Sequence, residues 1–421
     1  MKILRPLTNR DFRLLWSGQA ISQLGDGIFT VALAWQTLEL SGSATALSLV
    51  LFARTLPLVL LSLIAGAVTD RLSRRTVMIG SDLIRAGAVG AIAILAGTGH
   101  LQVAHLIVLG GAFGAAEAFF MPSISAIYPD VVSPELLLQA NALRSTSTTL
   151  AENLIGPAVG GVLIAAVGTT SAFWADAGSF GVSLLSLVLL RVPRGERAES
   201  GTLIADVKEG LSFTRAQRWL WISLVMTAAS NFFLTGPLRV AIPVLVRDVL
   251  HRGSTELGVV HASLGAGGLV AVLIAGQLGV ARHRTAIMYV SWTAAGIFAA
   301  GAGLLPHLAV VSVMAAGVGF GIGLGNVVWF TLVQQFVPKR VLGRVFSVDM
   351  LVSTGLYPTS IAVSGPIVGV LGGPATLVAG GLASAAATAL ALTRRGALDP
   401  DRSAPDGGPL PKDSPAPKGM A

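Results

Sequence analysis

The chain predicts an all-α membrane protein of twelve transmembrane helices in two six-helix halves, and three observations carry that prediction. Of 421 residues, 53% are hydrophobic and only 12% are charged, against about 25% charged in a soluble domain. Apolar stretches of the ~20 residues needed to cross a bilayer recur along the chain. Twelve of them fall six and six about a segment at 191–218 rich in Arg, Glu and Ser.

The first stretch, 12–38, is too long for the apolar region of a cleaved leader and has no small-x-small exit, so Met1 is expected to stay attached. It carries Asp26. The second, 44–69, holds Arg54 and runs through Gly66 into the charged turn Asp70, Arg71, Leu72, Ser73, Arg74, Arg75. The third, 76–98, bears Asp82 and Arg85, the fourth, 102–128, Glu117, and the fifth, 138–166, Glu152 followed by Gly156, Pro157, Gly160 and Gly161. The sixth, 170–190, contains Asp176. Within 191–218 the stretch 206–211 has the pattern of a short amphipathic surface helix. The second set follows at 219–246 with Arg239, 256–280, 285–304, 308–336, 344–371 with Arg344, Asp349, Gly365 and Pro366, and 374–393. The expected units are thus a half at 1–190, a cytoplasmic linker at 191–218, a half at 219–395 and a tail at 396–421. The tail is rich in Pro, Asp, Ser, Gly and Lys, which suits disorder.

The formal charge of +8 does not point to nucleic acid, because the cations sit at the ends of spans. Arg71, Arg74, Arg75, Arg191, Arg194, Arg282, Arg284, Lys339, Arg340 and Arg394 lie on one side, and mainly Arg247 and Arg252 on the other. The positive-inside rule then makes both termini cytoplasmic in a multi-pass membrane protein, with the lipid bilayer among its partners and a monomer expected. The chain has no cysteine, which excludes disulfides, Cys-ligated metal and thiol chemistry. The six histidines show no metal-ligand spacing, and no phosphate loop, nucleophile elbow or H-E-x-x-H is present. No enzyme, cofactor or metal site is expected.

The halves echo each other. Leu63, Ile64, Ala65, Gly66 recurs as Leu273, Ile274, Ala275, Gly276, and each is followed by an Arg-Thr pair, Arg75–Thr76 and Arg284–Thr285. Gly156, Pro157, Ala158, Val159, Gly160 recurs as Gly365, Pro366, Ile367, Val368, Gly369. Two matches at nearly one offset indicate duplication.

The turn Gly66 to Arg75 reads G-x-x-x-D-R-x-x-R-R, Gly156 to Gly161 reads G-P-x-x-G-G, and Leu138, Gln139, Ala140, Asn141, Ala142, Leu143 and Leu342, Gly343, Arg344 open the fifth and eleventh spans. Together these resemble the major facilitator superfamily, in the branch of enterobactin exporters, macrolide-efflux proteins and transmembrane secretion effectors. The resemblance implies a gate in which Asp70 caps the start of the eleventh span, with Gly66, Arg71, Arg75, Asp82, Arg85, Arg344 and Asp349 around it. An anion is favoured at a helix N-terminus by about 0.3–1 kcal/mol. The second-half copy of the turn lacks the Asp, so the gate is expected to be asymmetric. Gly156, Pro157, Gly160, Gly161, Gly365 and Pro366 imply close helix packing, although Glu152 stands where the fuller motif has glycine.

Charges inside spans are costly and commonly functional. At 1.5 Å per residue, Asp26 and Arg54 lie ~19 and ~22 Å from the cytoplasmic ends of their spans, so a pair between them is expected. Glu117 has no cation nearby in sequence, and it is the leading candidate to couple protons or substrate, with Glu152 and Asp26 next. The resemblance implies an exporter of the inner (plasma) membrane that moves a small hydrophobic or amphipathic molecule, a drug, siderophore or secondary metabolite, driven by proton antiport. A non-transporting sensor or scaffold and a metabolite importer are the alternatives.

Overall fold

The computed structural model describes residues 2–191, 203–278 and 283–403, apart from the side chains at 66–71 and a few others. Helix α1 (Arg10–Ser41) begins where Asn9 accepts hydrogen bonds from the backbone N–H groups of Asp11 and Phe12 at 2.9 and 3.2 Å. It ends at Gly42, whose φ of +60° suits glycine. Then follow α2 (Ala44–Arg71), α3 (Arg74–Gly97) and α4 (Val103–Val131). The fifth span is composite: α5 (Leu137–Ser147), a π-helical segment (Thr148–Ile155) and α6 (Gly156–Val167). Pro157 supplies no backbone N–H and crowds the carbonyl four residues before it, which accounts for the widened segment. After α7 (Thr169–Leu189) and α8 (Leu203–Ala216) come α9 (Arg218–Val244) with a π-helical end (Leu245–Val249), α10 (Ser254–Leu278), α11 (Arg284–Leu304) and α12 (Leu308–Phe336). The next span is also broken, into α13 (Lys339–Gly355) and α14 (Tyr357–Leu371), just ahead of Pro358. Helices α15 (Gly373–Thr393) and α16 (Asp399–Ser403) complete the chain.

Eleven helices among the described residues are long and apolar enough to cross a membrane. Helix α1 is as long but is not among them, since Gln19, Gln23, Asp26 and Gln36 interrupt its apolar run.

The main packings within α1–α7 have counterparts within α9–α15. Helix α1 lies on α7 as α9 lies on α15, α2 on α4 as α10 on α12, and α3 on α4 and α7 as α11 on α12 and α15. Between the two bundles α2 packs on α14, and α10 packs on α6 and the first π-helical segment. These contacts run from the face that carries few arginines down to mid-depth. On the arginine-rich face, α5 packs within the first bundle, and α13 packs on α9 and α8. The apolar core has the same shape. One cluster joins Phe29, Val31, Leu47 and Phe113 to Val240, Leu257, Ile361 and Val368 across the bundles. Towards the arginine-rich face it divides into a cluster around Phe12, Leu15 and Tyr128 and another around Trp219, Tyr289 and Trp329. A cleft between the bundles therefore opens to the arginine-rich face and closes at the other.

The expectation of disorder from residue 396 onward is corrected for its first part. Gly396, at φ +94°, turns the chain back, Ala397 is fully buried with the aromatic cluster, and Asp401 accepts from the backbone N–H groups of Thr285 and Ala286 at 2.8 and 3.1 Å. The apolar residues Ala397, Leu398 and Pro400 give this stretch something to bury, and an uncapped helix start gives Asp401 a partner. Residues 404–421 lie outside the described residues, as do 192–202 of the linker.

Candidate functional site

The charges of the spans gather at the closed end of the cleft. Counted at 1.5 Å per residue from the arginine-poor ends of their helices, Arg54 and Arg239 lie ~15 Å deep, and Asp26, Glu117, Glu152 and Tyr357 ~21–22 Å deep. Gly114 of α4 sits against the backbone of Arg54 so closely that a Cβ there would come within 1.8 Å of the Arg54 carbonyl oxygen. One turn further along α4, this approach sets Glu117 opposite Arg54, with Arg54 Nη2 to Glu117 Oε2 at 3.4 Å. The guanidinium also lies over the rings of Phe113 and Phe29, 4.7 and 5.3 Å from their centroids.

The expected Asp26–Arg54 pair is thus replaced by Arg54–Glu117, and Glu117 does have a cation. Asp26 instead keeps one buried carboxylate oxygen without a hydrogen-bond partner. Its neighbour across α7, Asp176, is fully buried and likewise has one unpartnered oxygen, the other accepting weakly from Ser179 at 3.4 Å. Gly25 permits this approach of α1 to α7, since a Cβ there would meet Asp176 and Ser179 within 2.4 Å. Glu152 stands on the π-helical segment, within electrostatic reach of Asp26, Glu117, Arg54 and Arg239.

The residues expected at the gate are dispersed. The side chains of Gly66, Asp70 and Arg71 lie outside the described residues. Arg75 does tie neighbouring helix ends together, donating to the carbonyls of Leu187 and Val188 at 2.6 and 2.5 Å. Arg74, which was given no role, does the same at the end of α4 through Asp130 at 2.6 Å and the Ala126 carbonyl at 2.9 Å. Asp82 and Arg85 are not at the surface. They pair with each other inside the first bundle, where Ser183 donates to Asp82 at 2.6 Å and Arg85 lies over Phe120 and Phe180, 4.2 and 4.7 Å from the centroids. One turn separates them on α3, so they face the same way. Asp349 is buried in the second bundle, accepting from Trp329 Nε1 at 3.2 Å and Ser353 at 3.0 Å. Arg344 pairs with Glu209 of α8.

The glycine motifs lie at contacts between helices. Gly156 and Gly160 rest on α1 at Gly27 and Ile28, and a Cβ on either would come within 2.9 Å of that backbone. Gly161 and Gly365 instead face the other bundle. A Cβ on Gly161 would lie 2.5 Å from the Ser254 carbonyl, and one on Gly365 would strike Ser48. Beside them Pro157 and Pro366 both sit within helical spans. Sequence reasoning missed Tyr357, and it placed Asp176 and Arg239 within their spans without a role for either. For Tyr357 the signal available was position, a Tyr just before a mid-span Pro.

A charged cluster at mid-depth, reached from one face through a cleft between two helical bundles, is the arrangement of a membrane transport protein. The chain belongs to the transmembrane secretion effector family of the major facilitator superfamily, whose profile matches residues 2–403. It is 31% identical over 361 residues to the multidrug efflux pump Tap of Mycolicibacterium fortuitum, covering 83% of this chain and 87% of that one. It is 26% identical over 358 residues to macrolide efflux protein A of Streptococcus pyogenes, covering 84% and 88%. Among solved structures, the nucleoside transporter NupG superposes with a TM-score of 0.67 at 13% identity over 89% of this chain and 98% of that one. These are transport proteins and not enzymes.

Proposed function

We propose that the chain is a secondary active transporter that exports a small hydrophobic or amphipathic molecule by alternating access, in exchange for protons. The observation that carries this reading is the gathering of Asp26, Arg54, Glu117, Glu152 and Arg239 from both bundles at the closed end of one cleft. Ionisable groups at that depth are costly unless they serve a pathway. The repeated packings, α1 on α7 and α9 on α15 foremost, support two six-helix halves related by pseudo-two-fold symmetry, with α1 as the twelfth span. The arginine-rich turns support cytoplasmic termini, and the cleft then faces the cytoplasm. Similarity to proteins named for multidrug and macrolide efflux supports export. Asp70, with Gly66 and Arg71, is proposed to close the arginine-rich face by capping α13 when the bundles swing together, and Arg344 would then exchange Glu209 for that contact.

The test is loading of cells that overproduce the chain with a panel of macrolides, dyes and siderophores, followed by efflux with and without a protonophore. Lower accumulation that the protonophore abolishes supports the reading. Accumulation equal to that of empty cells across the panel favours a sensor or scaffold, and protonophore-sensitive gain of solute favours an importer.

A further inference from the structure

Arg239 is the cation of the cleft that has no ion-pair partner among the described residues; the carboxylates Asp26 and Glu152 have none either. No ion pair or hydrogen bond joins it to another described residue, whereas Arg54 has Glu117 and Arg85 has Asp82. Its side chain is exposed, yet the groups that act on it come from α2, α4, the first π-helical segment and α14. Protein therefore surrounds it on several sides, and its exposure is to the cleft. Arg54, a like charge, lies within its electrostatic reach, as do the opposing groups Tyr357, Glu152 and Glu117. Glu117 already faces Arg54 at 3.4 Å, and Glu152, from the same bundle as Arg54, makes no ion pair with Arg239. The closed end of the cleft thus presents Arg239 as an accessible cation beside the Arg54–Glu117 pair, with the carboxylates of Asp26 and Glu152 in reach of the same cluster.

An unpaired guanidinium within a span is expensive, and its planar fork of donors matches an oxyanion in bidentate fashion. We infer that Arg239 is a substrate-recognition residue that takes the carboxylate, or an equivalent oxyanion, of an amphipathic substrate. The proposal rests on the transport reading and specifies the substrate class at that site. An anion there would also relieve the repulsion between the two arginines, so its binding should draw the bundles together around it.

The test uses two probes of opposite charge on one ring, 9-anthracenecarboxylate and 9-(aminomethyl)anthracene, titrated into the full chain in phosphatidylcholine nanodiscs, where no anionic lipid competes. Binding is read by fluorescence anisotropy of the ring. The wild type is expected to prefer the carboxylate, and Arg239→Gln to lose about tenfold in carboxylate affinity with the amine unchanged or tighter. Arg239→Lys keeps the charge and should retain part of the preference, which separates recognition from folding should the Gln variant be unstable. A wild type that prefers the amine, or carboxylate affinity equal in the wild type and both variants, overturns the inference. Carboxylate binding through Arg239 without protonophore-sensitive efflux would instead remove the transport reading alone.

Discussion

Arg54 shows how much of a buried charge's role depends on a residue that carries none. Its guanidinium meets Glu117 at 3.4 Å and two phenyl rings, and each partner of the ion pair is about one-sixth exposed, at 16% and 17%. Removing one partner leaves an uncompensated charge, which costs more than removing both. Arg54→Gln and Glu117→Gln should each lower stability by about 1–3 kcal/mol, below the value for a fully buried pair, and the double variant by less than either. Thermal unfolding of the three purified variants checks this, and additive losses would show that the pair is not coupled. On the transport reading, Glu117→Gln is also expected to abolish uphill export while sparing downhill equilibration. Counterflow and pH-gradient assays in proteoliposomes separate the two, and undiminished uphill export would move the coupling role to Glu152 or Asp26. The charges themselves were legible in the sequence, because a carboxylate in an apolar span is conspicuous. Their partners were not. Depth alone allowed Asp26 to meet Arg54, and only the approach of α4 at Gly114 decides for Glu117.

At the level of the element, the boundaries of the spans followed from apolar length and charged turns, and the structure moves most of them by only a few residues. The breaks within spans were less visible. Pro157 and Pro358 each sit where a helix is disturbed, yet proline in a membrane helix does not by itself say whether a kink, a π-helical segment or a break results. Gly114 tests the contact that organises α2 and α4. A methyl group there must displace the Arg54 carbonyl, which it would approach to 1.8 Å, so Gly114→Ala should cost about 1–3 kcal/mol and reduce folded yield in fluorescence-detected size exclusion. A yield equal to wild type would mean that the helices slide apart freely. The start of α11 offers a second test. Its first turn is capped from outside the helix by Asp401 through two backbone N–H groups, so truncation after Arg395 should lower stability by about 1 kcal/mol, and Asp401→Ala by a similar amount. Averaged composition hid this stretch. Residues 396–421 are polar as a whole, while the few that fold back are locally apolar.

At the scale of the molecule, the sequence repeats at Gly66 and Gly276 and at Gly156 and Gly365 pointed to two related units, and the arginine distribution to one basic face. Neither could say which face is closed, because that depends on contacts between α2 and α14 and between α6 and α10 that are far apart in the chain. If alternating access is the mechanism, the arginine-poor face must open in each cycle, and the contact of α2 with α14 must part. Thr45 and Gly369 suit a direct test. A Cβ on Gly369 would lie 3.8 Å from Thr45 Oγ1, so the two positions face each other across the contact closely enough for a cross-link to be tried. The chain contains no cysteine of its own, so the pair Thr45→Cys with Gly369→Cys can be introduced without removing any other thiol. Gly369 lies on α14 beyond the tightest crossing at Gly365, and a side chain is accommodated there. Oxidation is expected to cross-link the pair readily in the resting state and to stop efflux, and reduction to restore it. Each single variant should be indifferent to oxidant. Efflux that continues in a fully cross-linked protein would show that this face need not open, and would replace rocking of the two bundles with a path confined to the arginine-rich side.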